Sequence, residues 1–324
     1  MTVYDGPSRQ NARVALTTGG LLRRRRFPAT ILALVTSAAF LSGASGASVA
    51  PPTVAPTLAS VTAAVARAAT SATVPTTVTP PLANVTNDGP GSFIGGTGHK
   101  NPAKLVAVFG DSHAWMWYPA LLSGLGATYH LSLTWSPGCP AAAIPGSGYG
   151  QNGAATCAAW RTATIAAILA SKPYAVVLAE RTDNVFTAPG VLSTPQQWTA
   201  GLESTISTFT AHHIKVVVIG DDPSYTLGFN PASCVARAPN SLSLCEPPVA
   251  TSDPNYASNA PAEQLAAQAT GATFINAVPF FCTATVCPVI INNQFVYYDW
   301  SHITATYSLY LAKVIAQETN LLAK

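Results

Sequence analysis

Short apolar runs alternate with amphipathic stretches along the C-terminal two-thirds of the chain. The apolar runs are rich in β-branched residues and too short for typical helices, as expected of buried strands. They predict five strands, over residues 104–110, 128–135, 174–180, 214–220 and 272–278. The stretches between and after them have apolar residues at helical spacing and predict helices over 115–126, 156–171, 194–213, 262–269 and 304–318.

Strands that are apolar on both faces and separated by helices indicate a parallel sheet with helices on both sides. We therefore predict one α/β domain over residues 100–324, a three-layer α/β/α sandwich with a mostly parallel five-stranded sheet. Ligands of such sheets bind beyond the carboxyl ends of the strands. Residues 110–113, with the sequence Gly-Asp-Ser-His, follow the first predicted strand at this edge.

The first 50 residues have the pattern of an export signal. Arg23–Arg26 precede the apolar run 27–40, and a string of small residues follows it. This order is typical of a secretory signal peptide, here with cleavage after Ala47 or Ala50. The long segment before the apolar run leaves an uncleaved N-terminal membrane anchor, or a misassigned start codon, as alternatives. Either way, we expect a bacterial cell-envelope protein that is secreted or tethered outside the cytoplasm.

Residues 51–99 are rich in Pro, Thr and Ala and hold few large apolar side chains. Proline cannot donate to a strand ladder, and so little apolar surface cannot form a core. We therefore expect a disordered, extended linker between the export signal and the folded domain.

The charge of the chain argues against a nucleic-acid partner. Only 9% of the 324 residues are charged, and the formal net charge is +3. Because four of the positive charges are the consecutive arginines near the N-terminus, the rest of the chain is close to neutral, whereas nucleic-acid binding needs a basic surface.

The six cysteines agree with export, because an even number in an exported chain indicates disulfide bonds. Six cysteines allow 15 connectivities, and we favour pairing of neighbours because it closes short loops. The predicted bonds are Cys139 with Cys157, Cys234 with Cys245 and Cys282 with Cys287. No CxxC motif is present and the histidines lack the spacing of metal ligands, so neither a metal nor a cofactor is expected.

Ser112 has two physical interpretations. As a nucleophile, it would present its hydroxyl at the sheet edge, beside helix amides that can hold an oxyanion. Alternatively, Asp111 and Ser112 form an ordinary turn and helix cap, for which both residue types are favoured. We expect Asp111 to stabilise this turn, and His113 to point away from Ser112 in a structural or substrate-facing role.

A nucleophilic serine needs a base, and the base needs a group that fixes its tautomer. Asp299 and His302, three residues apart directly before the last predicted helix, can share one face of a turn. The aspartate could then hold one imidazole nitrogen and leave the other free. The alternative is a surface turn in which Thr304 caps the helix.

Together, GDSHAW at the first strand end and DWSH before the last helix resemble the SGNH (GDSL-like) hydrolase superfamily. The likeness spans roughly residues 103–320. The GDSHA form in an exported, cysteine-containing chain is most similar to the SGNH domains attached to acyltransferase-3 membrane proteins, which O-acetylate cell-surface glycans.

This resemblance implies specific roles for residues of the chain. Ser112 would be the nucleophile, His302 the base and Asp299 the acid that orients it. The Ser112 amide and Gly138 would form the oxyanion hole, in which the superfamily also has an asparagine after the third strand. Asn184 is the candidate here, although the chain lacks the GxND motif and Asn184 follows the strand late.

Two further residues are candidates for substrate contacts. Arg181, directly after the third strand, could contact an anionic or sugar substrate, unless it forms only a surface salt bridge. Trp115 could stack on a sugar ring, although aromatic residues at this position more often belong to the core.

These features predict an exported serine esterase or O-acyltransferase, acting on acyl groups, acetyl above all, of a cell-envelope glycan or glycolipid. The sequence does not separate hydrolysis from transfer, because both use the same residues. Transfer would require a separate membrane acyltransferase partner, and we expect the chain itself to be a monomer. The rival hypothesis is a catalytically weak or inactive SGNH-fold module that binds glycans.

Overall fold

The central sheet has five parallel strands, as the apolar runs predict. The computed structural model describes residues 56–70, 74, 104–148, 153–183, 185–246, 248 and 254–322, with the backbone alone at 254–256. The strands are β1 (Leu105–Gly110), β2 (His130–Trp135), β3 (Ala175–Ala179), β4 (Phe186–Ala188), β5 (Val191–Leu192), β6 (Lys215–Ile219), β7 (Thr273–Ile275), β8 (Ile290–Ile291) and β9 (Gln294–Phe295). The helices are α1 (Leu58–Ala68), α2 (Ser112–Leu125), α3 (Ala154–Ser171), α4 (Pro195–Thr210), α5 (Pro231–Arg237), α6 (Pro254–Thr270) and α7 (Ala305–Glu318). Short 3-10 helices span Leu242–Leu244 and Val278–Phe280.

The strand order in the sheet is β2-β1-β3-β6-β7, and every neighbouring pair is parallel. The chain leaves β1 toward one edge of the sheet and then crosses back to place β3 on the other side of β1. The carboxyl ends of β1 and β3 therefore flank the point where the strand order reverses, which is the usual ligand position in this fold. The hairpins β4–β5 and β8–β9 lie outside this sheet.

Alternate strand residues pack on opposite faces of the sheet, as the two-residue period of a strand requires. In β6, Val217 and Ile219 join the core shared with α2 and α7. Val216 and Val218 join the second core, to which α4 and α6 contribute. The predicted three-layer α/β/α architecture is confirmed.

Helix α2, which begins at Ser112, packs tightly against α7. Gly124 lies so close that an added Cβ would meet the Ala312 carbonyl oxygen at 2.3 Å and the Ala316 Cβ at 2.7 Å. The Ala120 N–H donates to the Ser308 hydroxyl across the same interface, at 3.1 Å. This contact fixes the start of α2 relative to the turn that precedes α7.

The prediction of an extended linker is wrong over Leu58–Ala68, which forms helix α1. Thr57 caps this helix, and Val61, Ala64 and Val65 are buried in the core. These apolar residues recur at helical spacing, a local signal that the Pro- and Thr-rich average of residues 51–99 conceals. Most of the remaining predicted linker, and the whole predicted export signal at residues 1–50, lie outside the described residues.

The structure forms the three disulfide bonds that the sequence predicts: Cys139–Cys157, Cys234–Cys245 and Cys282–Cys287. They close short loops, with sequence separations of 18, 11 and 5 residues. Within the described ranges, no helix combines the length and hydropathy needed to cross a membrane.

Candidate active site

Ser112 lies where β1 ends and α2 begins. Gly110 is required at this point, because a Cβ there would meet the Ala179 carbonyl oxygen of β3 at 2.0 Å. Asp111 is the N-cap of α2, and its carboxylate accepts a hydrogen bond from the His113 N–H at 2.8 Å. Asp111 therefore caps the helix, as the turn-and-cap interpretation expects, and Ser112 occupies the first turn of α2. The cap binds the amide of His113, which leaves the Ser112 amide for another acceptor.

Three side chains form a continuous hydrogen-bonded chain beside this helix start. His302 Nε2 lies 2.8 Å from Ser112 Oγ, and His302 Nδ1 lies 2.8 Å from Asp299 Oδ2. The backbone N–H groups of Ser301 and His302 donate to Asp299 Oδ1 at 2.9 and 2.8 Å. The structure thus brings the predicted nucleophile, base and orienting acid into the order that such a triad needs.

The environment of Asp299 favours its charged form. Burial opposes ionisation, but the His302 side chain and the backbone N–H groups of Ser301 and His302 outweigh it, so the pKa of Asp299 is lowered. An ionised Asp299 holds the Nδ1–H tautomer of His302. His302 Nε2 is then free to accept the proton of the Ser112 hydroxyl.

The Ser112 hydroxyl faces a cavity of about 330 Å³. Its aromatic walls are Trp115, Trp135 and Trp300, and the Trp115 and Trp135 rings stack with their centroids 5.5 Å apart. The other lining residues are Asp111, Pro137, Gly138, Arg181, Asp183, Val185 and His302. The cavity is therefore a mainly apolar cleft with polar groups concentrated at the serine.

Gly138 lies in a tight turn at the rim of the cavity. The Cys139 N–H donates to the Ser136 carbonyl at 3.1 Å, and Gly138 has a φ of 65°, a left-handed conformation that glycine adopts without strain. The disulfide bond of Cys139 to Cys157 anchors the turn on α3. We refer to residues 136–144 as the Gly138 loop.

Buried polar side chains also form hydrogen bonds that support the Gly138 loop. Glu180 Oε2 accepts a hydrogen bond from the Ala142 N–H at 2.9 Å, and Arg161 Nε donates to the Pro140 carbonyl at 3.0 Å. Burial raises the pKa of Glu180 to about 8. Burial therefore favours the protonated form of Glu180, which supports the loop through the Ala142 N–H.

The remaining predicted contact residues have different outcomes. Arg181 lines the cavity, and its guanidinium donates through Nε and Nη2 to the Asp183 carboxylate. Burial disfavours the Arg181 charge, but its hydrogen bonds to Asp183 raise its pKa overall. Arg181 thus forms a buried ion pair at the cavity wall instead of a surface salt bridge.

Trp115 belongs to the core and also lines the cavity wall. Asn184 lies outside the described residues.

A group of buried acidic residues behind Ser112 was not singled out from the sequence. Glu180 directly follows β3, and Asp221 and Asp222 follow β6 after Gly220, so their signal was a carboxylate close to the end of a buried strand. Burial raises the pKa of Asp221 to about 7 and that of Asp222 well above its ordinary value.

Three of the buried side chains have atoms of the kind that bind metals. These atoms, on His113, Asp221 and Asp222, lie within 4.8 Å of one another. His113 Nδ1 already contacts Asp221 Oδ1 at 2.8 Å, and we assign this cluster no metal.

Comparison with known proteins identifies a family whose model matches this chain. The family model "SGNH domain (fused to AT3 domains)" matches residues 79–317, more than half of the chain. A search of curated proteins finds no significant match.

Among solved structures, the periplasmic domain of the lipopolysaccharide acetyltransferase of Salmonella ser. Paratyphi A is similar over 68% of this chain and 84% of that chain, with 18% identity and a TM-score of 0.51. A predicted SGNH hydrolase from Slackia heliotrinireducens matches over 67% and 98% of the two chains, with 17% identity and a TM-score of 0.42. A predicted acylhydrolase from Bacteroides fragilis matches over 68% and 88%, with 15% identity and a TM-score of 0.43.

Proposed function

Because the chain belongs to the family of SGNH domains that are fused to AT3 domains, we propose that it is a serine esterase or O-acyltransferase that works through an acyl-enzyme on Ser112. The observation that carries this proposal is the hydrogen-bonded chain from Ser112 Oγ through His302 to Asp299 at the cavity. A serine is a weak nucleophile without such a base, and the base is effective only when its tautomer is fixed.

In the proposed first half-reaction, His302 Nε2 removes the proton of Ser112 as Oγ attacks the carbonyl carbon of an acyl ester. The backbone N–H groups of Ser112 and Gly138 hold the oxyanion that forms. The C–O bond of the ester then breaks, and the departing alcohol takes the proton from His302. The acyl group remains on Ser112 as an ester.

In the second half-reaction, a water molecule or a sugar hydroxyl enters the cavity and gives its proton to His302 while its oxygen attacks the acyl carbon. The bond from that carbon to Ser112 Oγ then breaks, and Oγ takes the proton back from His302 Nε2. Water as the nucleophile yields hydrolysis, and a sugar hydroxyl yields transfer. The same residues serve both outcomes, so the balance depends on whether the acceptor excludes water from the cleft. The third oxyanion donor, for which Asn184 is the candidate, remains a prediction.

The cleft supports an O-acylated sugar as the substrate. Its volume of about 330 Å³ lies in the range of small-molecule sites. Trp115 and its neighbouring indoles offer flat apolar surfaces on which a sugar ring can stack, and Arg181 offers further N–H donors besides the two that bind Asp183. The similar Salmonella domain belongs to a lipopolysaccharide acetyltransferase, which supports acetyl as the acyl group and an envelope glycan or glycolipid as the acceptor.

The family context also supports a location outside the cytoplasm and a partnership with a membrane acyltransferase. Members of the family are fused to AT3 domains, so we propose that a membrane acyltransferase delivers the acyl group to Ser112. We propose that the chain acts as a monomer, because the cavity and the three proposed catalytic residues come from one copy.

The rival hypothesis of an inactive glycan-binding module predicts that Ser112 and His302 lie beyond hydrogen-bond reach. Their 2.8 Å separation favours catalysis instead. Catalysis can be tested by measuring acetate release from p-nitrophenyl acetate by the purified full chain and by the variants Ser112→Ala and His302→Ala. His212→Ala is the matched control, because His212 is an exposed histidine at the end of α4.

We expect both site variants to lose at least a thousandfold in kcat/KM while the control retains wild-type activity. A trapped acetyl group on Ser112, detected by mass spectrometry, would identify the intermediate. Equal activity of all four folded proteins would exclude the triad. Adding acetylated glycan fragments and a sugar acceptor then separates transferase from esterase activity.

A further inference from the structure

A second histidine–aspartate pair lies behind the proposed nucleophile. His113 directly follows Ser112 and is only 1% exposed. Its Nδ1 atom lies 2.8 Å from Asp221 Oδ1. The proposed reaction uses neither residue, and neither the volume nor the walls of the cavity require a histidine at this position.

Asp221 connects three segments that converge behind the cavity. Its Oδ2 atom accepts hydrogen bonds from the Thr182 N–H at 2.7 Å and from the Thr182 hydroxyl at 2.9 Å. Its own N–H donates to Glu263 Oε2 of α6 at 2.7 Å. Because Thr182 follows β3 and Asp221 follows β6, the bond to His113 joins the ends of two strands to the first turn of α2.

His113 is also held on its other sides. Its N–H donates to the Asp111 carboxylate at 2.8 Å, which fixes the backbone on either side of Ser112. Its ring meets the His302 ring edge to face, with the centroids 5.4 Å apart and the planes at 66°. The backbone of His113 thus fixes the turn around the nucleophile, while its side chain borders the ring of the base and contacts Asp221.

The charge state of His113 suits this position. Burial lowers the pKa of His113 to about 3, so the ring is neutral across the physiological pH range. A neutral ring places no positive charge beside His302, which has to accept a proton during the reaction.

We infer that His113 is a positioning residue: anchored to Asp221, it holds the first turn of α2 and the ring of His302 in the arrangement that lets Ser112 react. This inference rests on the proposed function. His113 affects the rate of the chemical step, whereas the cavity walls bind the substrate.

Two substitutions separate this role from simple packing. His113→Ala removes the contact with Asp221 and the ring beside His302. His113→Asn keeps a short amide whose donor and acceptor can replace Nδ1 toward Asp221. For each variant we would measure kcat and KM with p-nitrophenyl acetate, the labelling rate of Ser112 by a fluorophosphonate, and the folded fraction by circular dichroism. The exposed His212→Ala again serves as the control.

We expect His113→Ala to lower kcat and the labelling rate by roughly tenfold to a hundredfold, as for a displaced reacting group, with KM little changed. His113→Asn should recover most of the loss. Asp221→Asn, which disturbs the same contact from the other side, should lower kcat in the same way even if His113→Ala does not fold.

Wild-type kcat in folded His113→Ala or Asp221→Asn would overturn the inference while leaving the proposed function intact. The inference would also be overturned if the loss of rate only matched the loss of folded protein. It would be overturned as well if folded His113→Asn were no faster than His113→Ala. If wild-type protein itself neither hydrolyses the ester nor labels at Ser112, the proposed function fails, and the inference fails with it.

Discussion

His302 Nε2 lies 2.8 Å from Ser112 Oγ although 190 positions separate the two residues in the chain. The contact between α2 and α7 brings them together, because Ser112 begins α2 and His302 lies three residues before the first residue of α7. The turn itself is also attached to α2, since the Ile303 N–H donates to Met116 Sδ at 3.4 Å. The proposed catalytic geometry is therefore a product of helix packing on one face of the sheet.

Replacing Asp299 by Asn should lower kcat of the proposed esterase by about 10²–10⁴ with little change in KM. An amide cannot stabilise the imidazolium that forms on His302, and it can favour the wrong tautomer. Steady-state kinetics with p-nitrophenyl acetate would measure the effect. Glu318→Gln, at the end of α7, is the control and should leave kcat unchanged. An Asp299→Asn enzyme of wild-type rate would remove Asp299 from the mechanism.

Removing the Cys139–Cys157 bond should reduce activity more than removing Cys234–Cys245. Cys139 adjoins Gly138, whose amide is a proposed oxyanion donor, whereas neither Cys234 nor Cys245 lines the cavity. The sequence separations are 18 and 11 residues, so loop closure predicts similar losses of stability, about 3 kcal/mol each.

The test compares kcat and urea unfolding of the two Cys→Ser double variants. We expect similar midpoints of unfolding but a kcat lower by roughly tenfold or more for the Cys139/Cys157 variant. Equal kcat values would show that the disulfide does not position the Gly138 loop for catalysis.

The sheet could be predicted from the sequence because each buried strand is a short, local apolar run rich in β-branched residues. The short hairpins β4–β5 and β8–β9 were missed, since two or three residues carry no periodicity. A turn signal was nevertheless present at Asn292 and Asn293, which both adopt positive φ between β8 and β9, as in a type I′ hairpin.

The site was predictable only where its chemistry is local. Asp299 and His302 are three residues apart, and Ser112 stands in a recognisable strand-to-helix turn. The His113–Asp221 contact joins residues 108 positions apart, and nothing near either residue indicates the other. Helix α1 was missed for a different reason, because its Pro- and Thr-rich surroundings dominated the composition of the segment.

Gly124→Ala should destabilise the protein by about 1–3 kcal/mol, the usual cost of overpacking. The new methyl group would meet the Ala312 carbonyl oxygen and the Ala316 Cβ, forcing α2 and α7 apart. Chemical unfolding would give the loss of stability. Gly153→Ala is a suitable comparison, because none of the described residues beyond its chain neighbours has an atom within 4 Å of a Cβ there. Equal stabilities of the two variants would mean that the helix contact relaxes without cost.

Glu180 should make the protein less stable as the pH rises. Burial raises its pKa from the ordinary 4.5 to about 8 in the folded chain. Between these values the folded state keeps a proton that the unfolded state has released, so the free energy of unfolding falls with increasing pH. The raised pKa values of Asp221, Asp222 and Glu263 act in the same direction.

Glu180→Gln isolates the contribution of this one residue, because the amide oxygen can still accept the Ala142 N–H but cannot titrate. Thermal unfolding from pH 4 to pH 9 should show the variant gaining stability relative to wild type as the pH rises from about 4.5 to about 8. Glu203→Gln, on the partly exposed face of α4, should track wild type throughout. A constant difference between Glu180→Gln and wild type over this range would mean that Glu180 does not hold its proton in the folded chain, and the Gly138 loop would then rest on a buried carboxylate.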